Sequence, residues 1–506
     1  MKSVFLFVLF SIFKLTNVYA QSKPIVSDII IRGVITDDQL IDSPTYKSEV
    51  KIEVSELPFT LIELAQSPKR SFIANFKSGE GFEIKIPAES RFYYMYISYS
   101  TPSSNFNSLQ YNFIDNIYII EKGDIIDCSI RNFVSTFSGK GAAKLQCQNE
   151  IYALRFYDDE LNNRLSQDSS FSEALVELEK KCDSVIKLQN VVINKYKNVL
   201  DSSEIIAMKA NATGLQYYRF LRGLGPRIKI YKILLASEFY KNIGKNLAGM
   251  DPIGLSMSPV YSSVLLQKIH FEASIVNDSI SELKDSLYYQ RCVDLVESKY
   301  SNFLKDKLLT LLIVSGKVAV KKHLEAIARK VKSPLYANAM DELKFAFSKG
   351  RDFQKYVLTD YNGNALSFSQ FKDKIVILDF WYTGCYPCAK LRTSFEPIHE
   401  KFHSNPRVLF VSVSIDKEFE SWKKSIDKNI YTFPTAVNLF TNGKGGQHPI
   451  VLENLINAYP QIYILKNGIV YSANPPRPSG NSYNFELDPN KGTINFMSLI
   501  QQALDN

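Results

Sequence analysis

Hydrophobic and polar residues follow three different patterns along this chain of 506 residues, and each pattern predicts a different kind of structure. From Gln21 to about Glu150, β-branched and aromatic runs such as Val50–Val54 and Phe92–Tyr99 are separated by clusters of Gly, Ser, Asn and Pro. Runs of this kind, bounded by turn-forming residues, are typical of strands. We therefore predict an N-terminal antiparallel β-sandwich over residues 21–150.

The second pattern is helical. From residue 151 to residue 348, apolar residues recur every three or four positions, as in Leu175, Leu178, Cys182 and Ile186. This spacing places apolar side chains on one face of a helix. Breaks that contain Gly and Pro, such as Gly249–Pro252, divide the region into several helices. We predict a central α-helical region over residues 151–348.

The third pattern combines both periods. Ile375–Leu378 is an apolar run without polar alternation, which predicts a strand buried on both faces. After Cys388 the apolar residues take helical spacing, and Val408–Ile415 forms a second apolar run. A strand, a helix and a second strand in this order form a β-α-β unit. We therefore predict a C-terminal α/β domain over residues 349–506.

Composition is ordinary for a globular protein, with 45% hydrophobic and 22% charged residues. Residues 1–20 have the features of a secretory signal peptide. Lys2 supplies positive charge, Val4–Phe13 is apolar, and Val18–Ala20 forms a cleavage motif before Gln21. The apolar run is shorter than the ~20 residues that a membrane span needs. We expect export of the chain, with an uncleaved anchor as the alternative.

The charge pattern argues against a nucleic-acid partner. The formal net charge of +8 is mild for a chain of this length. Lys and Arg do not form a dense run interleaved with aromatic residues, as a nucleic-acid-binding surface would require. We therefore predict no nucleic-acid binding.

The chain has six cysteines, and in an oxidising compartment an even number permits pairing. Only two of them, separated by two residues, have a spacing with chemical meaning. We interpret the other four as buried apolar residues or as a structural bridge; they are Cys128, Cys147, Cys182 and Cys292. Cys128 and Cys147 form the most plausible bridge, because both lie at the end of the β-rich region.

Cys385 and Cys388 fall where the first buried strand is predicted to end and a helix to begin. The N-terminus of a helix favours a thiolate over a thiol, so Cys385 is the predicted nucleophile. Cys388 is then the resolving cysteine, which attacks the mixed disulfide formed on Cys385. A structural disulfide and a zinc half-site are the alternatives, although the chain has no second CxxC pair for zinc.

Three segments resemble the thioredoxin superfamily, and more closely its secreted TlpA/ResA-like branch: Asp379–Trp381, Gly384–Cys388 and Tyr459–Pro460. The resemblance covers the predicted C-terminal domain, which implies a thioredoxin fold there. Two departures from the family matter. Gly384 stands where many relatives carry a second tryptophan, which predicts a more open dithiol. Thr393 stands where the family has a helix proline.

The resemblance implies that Asp379 transfers protons to and from Cys388. A carboxylate in a buried position has a raised pKa, which suits proton exchange with a thiol. A strand-end acid paired with a neighbouring cation such as Lys390 is the alternative for Asp379.

The resemblance also implies a substrate-binding surface around the dithiol. Its members are Trp381, Tyr386, Pro387, Tyr459 and Pro460. Trp381 and Tyr386 would form an apolar rim, and ordinary packing is the alternative for both. Pro460 would follow a cis peptide bond that exposes the backbone of Tyr459 to a substrate peptide, with a trans proline as the alternative.

A weaker resemblance concerns the N-terminal region. Ile120–Cys128 and Phe137–Ala142 are similar to an uncharacterised β-domain that precedes thioredoxin domains in Gram-negative envelope proteins. The resemblance implies no catalytic residue in this region. It favours the periplasm as the location of the exported chain.

Together the resemblances imply a periplasmic thiol–disulfide oxidoreductase that reduces or isomerises protein disulfides. They imply a redox-active Cys385–Cys388 disulfide and neither an organic cofactor nor a metal. Expected partners are proteins with disulfides or thiols, and a membrane thiol reductase as electron donor. His399–His403 matches the HEXXH zinc pattern, which we interpret as a chance match on a solvated helix face. An envelope binding or scaffold protein with an accessory redox domain is the alternative function.

Overall fold

The computed structural model of the protein describes residues 28–36, 48–60, 69–101, 104–108, 117–131, 134–154, 156, 158–224, 227–276, 279–280, 286–315, 323–456, 459–478 and 491–505. The predicted signal peptide, residues 1–20, lies outside these ranges. Within them the chain shows N-terminal strands, a helical middle and a C-terminal sheet flanked by helices, which agrees with a multidomain protein.

The described residues of the N-terminal region form nine strands: β1 (Ile29–Thr36), β2 (Ser48–Ser55), β3 (Arg70–Phe76), β4 (Gly81–Ile86), β5 (Phe92–Thr101), β6 (Ser104–Ser108), β7 (Ile117–Glu121), β8 (Ile125–Arg131) and β9 (Val134–Lys140). They form two sheets. One has four strands in the order β4-β1-β8-β9, and the other has five, in the order β3-β2-β5-β6 with β7 also paired to β5. Burial alternates clearly in β4, which gives this strand one apolar face, whereas β7 is buried on both faces.

The apolar faces of the two sheets share one core. Ile31 and Ile84 of the first sheet belong to the same buried cluster as Ile52 and Ile97 of the second. The prediction of purely antiparallel pairing was wrong at one place, because β1 and β8 are parallel. The five-stranded sheet lies between these two strands in the chain, so β8 returns to β1 by a long connection. Alternation along a strand predicts which residues are buried and carries no information on strand direction.

In the described part of the chain that follows, the helices are α1 (Ala142–Ala153), α2 (Asp159–Ser166), α3 (Phe171–Lys195), α4 (Ser202–Gly223), α5 (Ile228–Ala236), α6 (Glu238–Asn242), α7 (Pro252–Ser256), α8 (Pro259–Ser274), α9 (Ser286–Lys299), α10 (Asn302–Ser315), α11 (Leu324–Ala328) and α12 (Pro334–Phe347). The short strands β10 (Ile275–Val276) and β11 (Ser279–Ile280) lie between α8 and α9. Asp201 caps α4 in a capping box with Glu204, which satisfies two backbone donors at the start of that helix.

Helix α1 connects the β-rich and helical regions. It starts directly after Gly141, whose φ of 87° suits glycine, and therefore begins inside the segment that the sequence pattern assigns to strands. Leu145 packs into the core of the two sheets, whereas Ile151 packs into the helical core. The buried Lys144 amine lies 2.8 Å from the Asp124 carboxylate, so an ion pair also joins α1 to the turn before β8.

The predicted bridge between Cys128 and Cys147 was wrong, because both residues are free and buried. Cys128 belongs to the core between the sheets, and Cys147 belongs to the core between α1 and the other helices. Cys182 and Cys292 are likewise free and buried. Burial raises the pKa of the Cys128 and Cys147 thiols to about 12, so these side chains pack as neutral apolar groups.

The C-terminal region contains the strands β12 (Val357–Asp360), β13 (Ala365–Ser367), β14 (Ile375–Trp381), β15 (Val408–Ser414), β16 (Val437–Phe440), β17 (Gln461–Lys466) and β18 (Ile469–Ser472). Its helices are α13 (Tyr386–Ser394), α14 (Glu396–Phe402), α15 (Phe419–Asp427), α16 (Pro449–Leu452) and α17 (Lys491–Asp505). The strands form one seven-stranded sheet in the order β13-β12-β16-β15-β14-β17-β18.

Strand β14 is central in this sheet, parallel to β15 and antiparallel to β17. Val376 and Leu378 pack into the core on one face of the sheet, and Ile375 and Ile377 pack into the core on the other. The prediction of a strand buried on both faces is therefore confirmed. At the carboxyl end of β14 the chain turns into α13, and this turn holds the candidate site.

The helix that follows the turn is interrupted once. Helix α13 ends at Ser394 and α14 begins at Glu396, with Pro397 in the first turn of α14. Proline has no amide hydrogen, and its ring clashes with the backbone carbonyl four residues earlier in a helix. A single continuous helix is therefore disfavoured here. Within the described part of the chain, no helix combines the length and hydropathy that crossing a bilayer requires.

Candidate active site

The candidate site lies where β14 ends and α13 begins. Cys385 is the N-cap of α13, and its amide donates a hydrogen bond to the Tyr382 carbonyl across 3.1 Å. Gly384, just before it, has a φ of 92°, a conformation in the left-handed region that favours glycine. Cys385 and Cys388 form a disulfide, with their Cα atoms 5.2 Å apart. The local sequence thus places both sulfur atoms at the start of a helix.

The start of α13 stabilises negative charge on the first sulfur. The Cys388 amide donates to Cys385 Sγ across 3.2 Å. Pro387 occupies the first turn, where the missing amide hydrogen costs no helical hydrogen bond. After reduction, the unpaired N–H groups and the helix dipole would favour a thiolate at Cys385.

Both cysteines are nearly closed to solvent. Cys385 is 1% exposed and Cys388 is 3% exposed, so the prediction of an open dithiol was wrong. A Cβ at Gly384 would meet no atom within 4 Å, so that side of the turn is open as expected. Both cysteines belong to a buried cluster that also contains Trp381, Trp422 and Phe440, and Tyr431 and Tyr459 pack against this cluster.

Sequence reasoning did not name Trp422, Phe440 or Tyr431 as residues of this site, and of these Tyr431 bonds directly to the turn before Cys385. Its ring is stacked on Trp381, with the centroids 4.7 Å apart and an angle of 13° between the planes. Its hydroxyl oxygen accepts a hydrogen bond from the Gly384 amide at 2.9 Å.

Trp381 is fully buried, so it does not form the solvent-facing rim that the resemblance predicted.

The predicted proton-transfer residue lies close to the second cysteine. Asp379 and Cys388 line the same narrow cavity of about 20 Å³, which has room for about one water molecule. The Ser412 hydroxyl donates to the Asp379 carboxylate across 3.4 Å. Burial raises the pKa of Asp379 to about 7, and the hydrogen bond from Ser412 opposes part of that rise. Surrounding protein atoms therefore keep the carboxyl protonated up to near neutral pH, although the cavity leaves it partly accessible.

The alternative partner of Asp379, Lys390, lies elsewhere. Its amine is 5.0 Å from the centre of the Tyr386 ring. Tyr386 itself is 67% exposed and projects from the start of α13. Tyr386 is thus accessible to solvent, and its part in substrate binding stays a prediction.

Tyr459 packs against the cluster that contains the disulfide, and Pro460 is the next residue in the chain. The peptide bond between them is cis. The Tyr459 ring contacts the Tyr382 ring edge to face, with the centroids 5.7 Å apart, and both rings pack against the cluster around the disulfide. The cis configuration agrees with the resemblance, whereas substrate binding by these residues stays a prediction.

Asp416 supports the turn that carries the dithiol, a role that sequence reasoning also missed. Its carboxylate accepts hydrogen bonds from the Thr383 amide at 2.8 Å and from the Thr383 hydroxyl at 2.7 Å. The same hydroxyl lies 2.7 Å from the Ser425 hydroxyl. These bonds connect the turn to the end of β15 and to α15.

The histidines of the HEXXH pattern make contacts of other kinds. The His399 ring stacks on Phe433 with the centroids 4.0 Å apart, and its Nε2 lies 2.7 Å from the Thr435 hydroxyl. The His403 ring stacks on the His399 ring. Among the described residues, the structure contains no group of three or more His, Cys, Asp or Glu side chains that could hold a metal ion.

Comparison with known proteins places residues 373–468 in a family described as thioredoxin-like. The chain is 43% identical over 125 residues to the thiol-disulfide oxidoreductase ResA of Bacillus subtilis, covering 24% of this chain and 61% of that protein. It is 32% identical over 88 residues to a thioredoxin of Coprinus comatus, covering 16% of this chain and 78% of the thioredoxin. A solved thiol:disulfide interchange protein from Bacteroides sp. matches at 20% identity and a TM-score of 0.25, covering 32% of this chain and 93% of that one.

Proposed function

Because this chain belongs to the thioredoxin superfamily through a ResA-like C-terminal domain, we propose that it is an extracytoplasmic thiol–disulfide oxidoreductase acting on proteins. One observation carries the proposal. A disulfide lies at the N-terminus of α13, and the second of its cysteines shares a cavity with a carboxyl group whose pKa is about 7.

The reduced dithiol would transfer two electrons to a substrate. The Cys385 thiolate attacks one sulfur of a substrate disulfide, and the other substrate sulfur leaves as a thiolate. Cys388 then attacks Cys385 Sγ, which releases the second substrate sulfur and forms the Cys385–Cys388 disulfide. The substrate gains two electrons and two protons, and the domain loses them. Release of a bound substrate as a rearranged disulfide would give isomerisation by the same chemistry.

Asp379 would assist the second attack. Cys388 must lose its proton before it can attack, and the Asp379 carboxylate faces the same cavity. A general base works best when its pKa lies near the working pH. With a pKa of about 7, Asp379 can accept the proton from Cys388 and return it when the disulfide is reduced again.

Renewal of the dithiol requires an outside donor of two electrons. We propose a membrane thiol reductase for this role and the periplasm as the location. The signal-like residues 1–20 support export, and the similarity to ResA thiol-disulfide oxidoreductases supports the chemistry. The aligned regions span between 53% and 73% of three ResA proteins from Bacillus species, so the substrate and the partners are proposals for the whole chain.

Trapping of a mixed disulfide tests the function. Cys388→Ala should accumulate disulfide-linked complexes through Cys385, because the resolving attack is lost. These complexes should be absent from the Cys385→Ser variant, which is the matched control. Equal amounts of linked protein in both variants, measured by non-reducing gel and mass spectrometry, would remove Cys385 from the proposed role.

The second candidate is an envelope binding protein with an accessory redox domain. It is favoured by the size of the described β-rich and helical regions, which contribute three of the six buried cores. This candidate predicts that Cys385→Ser leaves the thiol status of cellular proteins unchanged while removal of the β-rich region has an effect.

A further inference from the structure

We infer that Tyr431 controls access to the Cys385–Cys388 disulfide, and that the electron donor replaces it with an aromatic side chain of its own. The inference rests on the proposed function, because it concerns the step in which the disulfide is reduced. We call the Tyr431 side chain in its observed position the cover. The reductant that fits this site is a dithiol on an extended peptide segment, with an aromatic residue beside the attacking cysteine.

The cover contacts each part of the redox site. Its ring lies flat on the Trp381 ring, with the centroids 4.7 Å apart. Its hydroxyl oxygen accepts from the Gly384 amide, one residue before the nucleophile, at 2.9 Å. Its side chain also lines the cavity shared by Asp379 and Cys388. One side chain therefore contacts the indole face, the backbone donor and the small cavity together.

The remaining exposure of the sulfur atoms is too small for direct attack. Thiol–disulfide exchange requires a thiolate to reach one sulfur of the disulfide. Cys385 is 1% exposed in the structure, and it belongs to a buried cluster in which most of the other side chains are aromatic. A side chain must therefore move before a donor thiolate can reach Cys385 Sγ.

Tyr431 is placed to move without unfolding the domain. It lies between the end of α15 at Asp427 and the start of β16 at Val437, outside regular secondary structure. Asn429, two residues earlier, has a φ of 52°, so the chain turns sharply before the cover. Phe433, two residues later, is held by stacking on His399. The contacts of the cover with Trp381 and Gly384 can break while this anchor stays in place.

Displacement of the cover exposes two features that a donor can use. One is the flat face of Trp381, which favours an aromatic partner. The other is the Gly384 N–H, which is left without its acceptor and would favour a peptide carbonyl at the same position. A small dithiol has neither group, whereas a peptide with an aromatic residue beside its cysteine has both.

The reaction that the cover controls is a complete two-electron transfer. A donor thiolate attacks Cys385 Sγ and the bond to Cys388 Sγ breaks, so that Cys388 leaves as a thiolate. The second donor thiol attacks the mixed disulfide and becomes oxidised together with the first. The donor ends as a disulfide, and its two protons end on Cys385 and Cys388.

The test is the rate of disulfide reduction in the full chain by excess dithiothreitol, followed by quenched thiol alkylation and mass spectrometry. For Tyr431→Ala we expect the rate of disulfide reduction to rise about tenfold, because the site is then open in every molecule. A tenfold change corresponds to a free energy of about 1.4 kcal/mol that favours the closed state in the wild type. Tyr431→Phe keeps the stacked ring and loses the hydroxyl, so we expect a smaller rise of about threefold. The matched control is Tyr361→Ala, which also removes a tyrosine ring beside a tryptophan. The Tyr361 and Trp422 ring centroids lie 6.3 Å apart.

A second measurement tests the chemistry of the donor on the wild-type protein. Two dithiol peptides differ only in the residue beside the first cysteine, which is Phe in one and Gly in the other. We expect the Phe peptide to react about three to ten times faster, because its ring can stack on Trp381. This measurement needs no variant, so it stands even if Tyr431→Ala does not fold.

Two results overturn the inference. One is a folded Tyr431→Ala protein that reacts with dithiothreitol at the wild-type rate, and the other is equal rates for the two peptides. Failure of the proposed function looks different. In that case the reduction kinetics follow the expected order, yet the reduced protein transfers no electrons to any protein disulfide.

Discussion

Replacement of Asp379 by Asn should make the C-terminal domain more stable and less active at the same time. Burial raises the pKa of this carboxyl from 3.8 to about 7, so the folded state holds the proton more tightly than the unfolded state. The contribution of this carboxyl to the free energy of unfolding is therefore fully present below pH 3.8. It falls as the pH rises toward 7 and stays low above pH 7. The Asn variant carries no ionisable group at this position, so its stability does not fall with rising pH for this reason.

The size of the effect follows from the pKa values. One unit of pKa corresponds to about 1.4 kcal/mol, so the difference between 3.8 and about 7 corresponds to about 4 kcal/mol. The carboxyl keeps partial access to the small cavity, and solvent there screens part of the cost. We therefore expect Asp379→Asn to be more stable than wild type by about 2–4 kcal/mol at pH 8, with a difference that shrinks as the pH falls to 5.

Urea unfolding monitored by tryptophan fluorescence measures this difference. The chain contains two tryptophans, Trp381 and Trp422, and both lie in the C-terminal domain, so the signal reports on that domain. Asp505→Asn, a change of an exposed acid in α17 of the same domain, is the control and should follow the pH dependence of the wild type.

The activity of Asp379→Asn separates proton transfer from packing. Loss of a general base lowers the rate of a proton-transfer step by about 10²–10⁴-fold. We therefore expect slower disulfide exchange in a protein that is more stable at pH 8. Parallel stability curves for Asp379→Asn and wild type between pH 5 and pH 8 would refute the reasoning, because a carboxylate in a solvated site makes no such contribution.

Two further changes test contacts that support the fold. Thr383→Val removes a hydroxyl that bonds to Asp416 and lies beside Ser425. It should lower the unfolding free energy of the C-terminal domain by about 1–2 kcal/mol in the same fluorescence assay. An unchanged urea midpoint would show that the hydroxyl does not hold the turn. Lys144→Met leaves the buried Asp124 carboxylate without its cation and should cost about 3–5 kcal/mol, measured by calorimetry. Adding Asp124→Asn to Lys144→Met should recover part of that loss, and failure to do so would contradict the ion-pair explanation.

The β-rich region shows where sequence patterns stop being informative. The alternation of apolar residues correctly indicates strands such as β4, because burial of every second side chain is a local property of an extended chain. The parallel pairing of β1 with β8 depends on how distant segments pack, and the pattern of either strand is the same for both directions. The free state of Cys128 has the same origin, because the fold places it in a different core from Cys147.

The candidate site divides in the same way. The sequence by itself determined the central strand β14, the start of α13 at Cys385 and the spacing of the two sulfur atoms, because each depends on residues that are neighbours in the chain. Only the tertiary structure decided that Tyr431 bonds to the Gly384 amide beside the disulfide and that Asp416 bonds to Thr383 in the same turn, since both come from loops far along the chain. Local sequence specifies backbone conformation and helix ends through short-range interactions, whereas solvent access to a sulfur atom depends on every segment that packs against it.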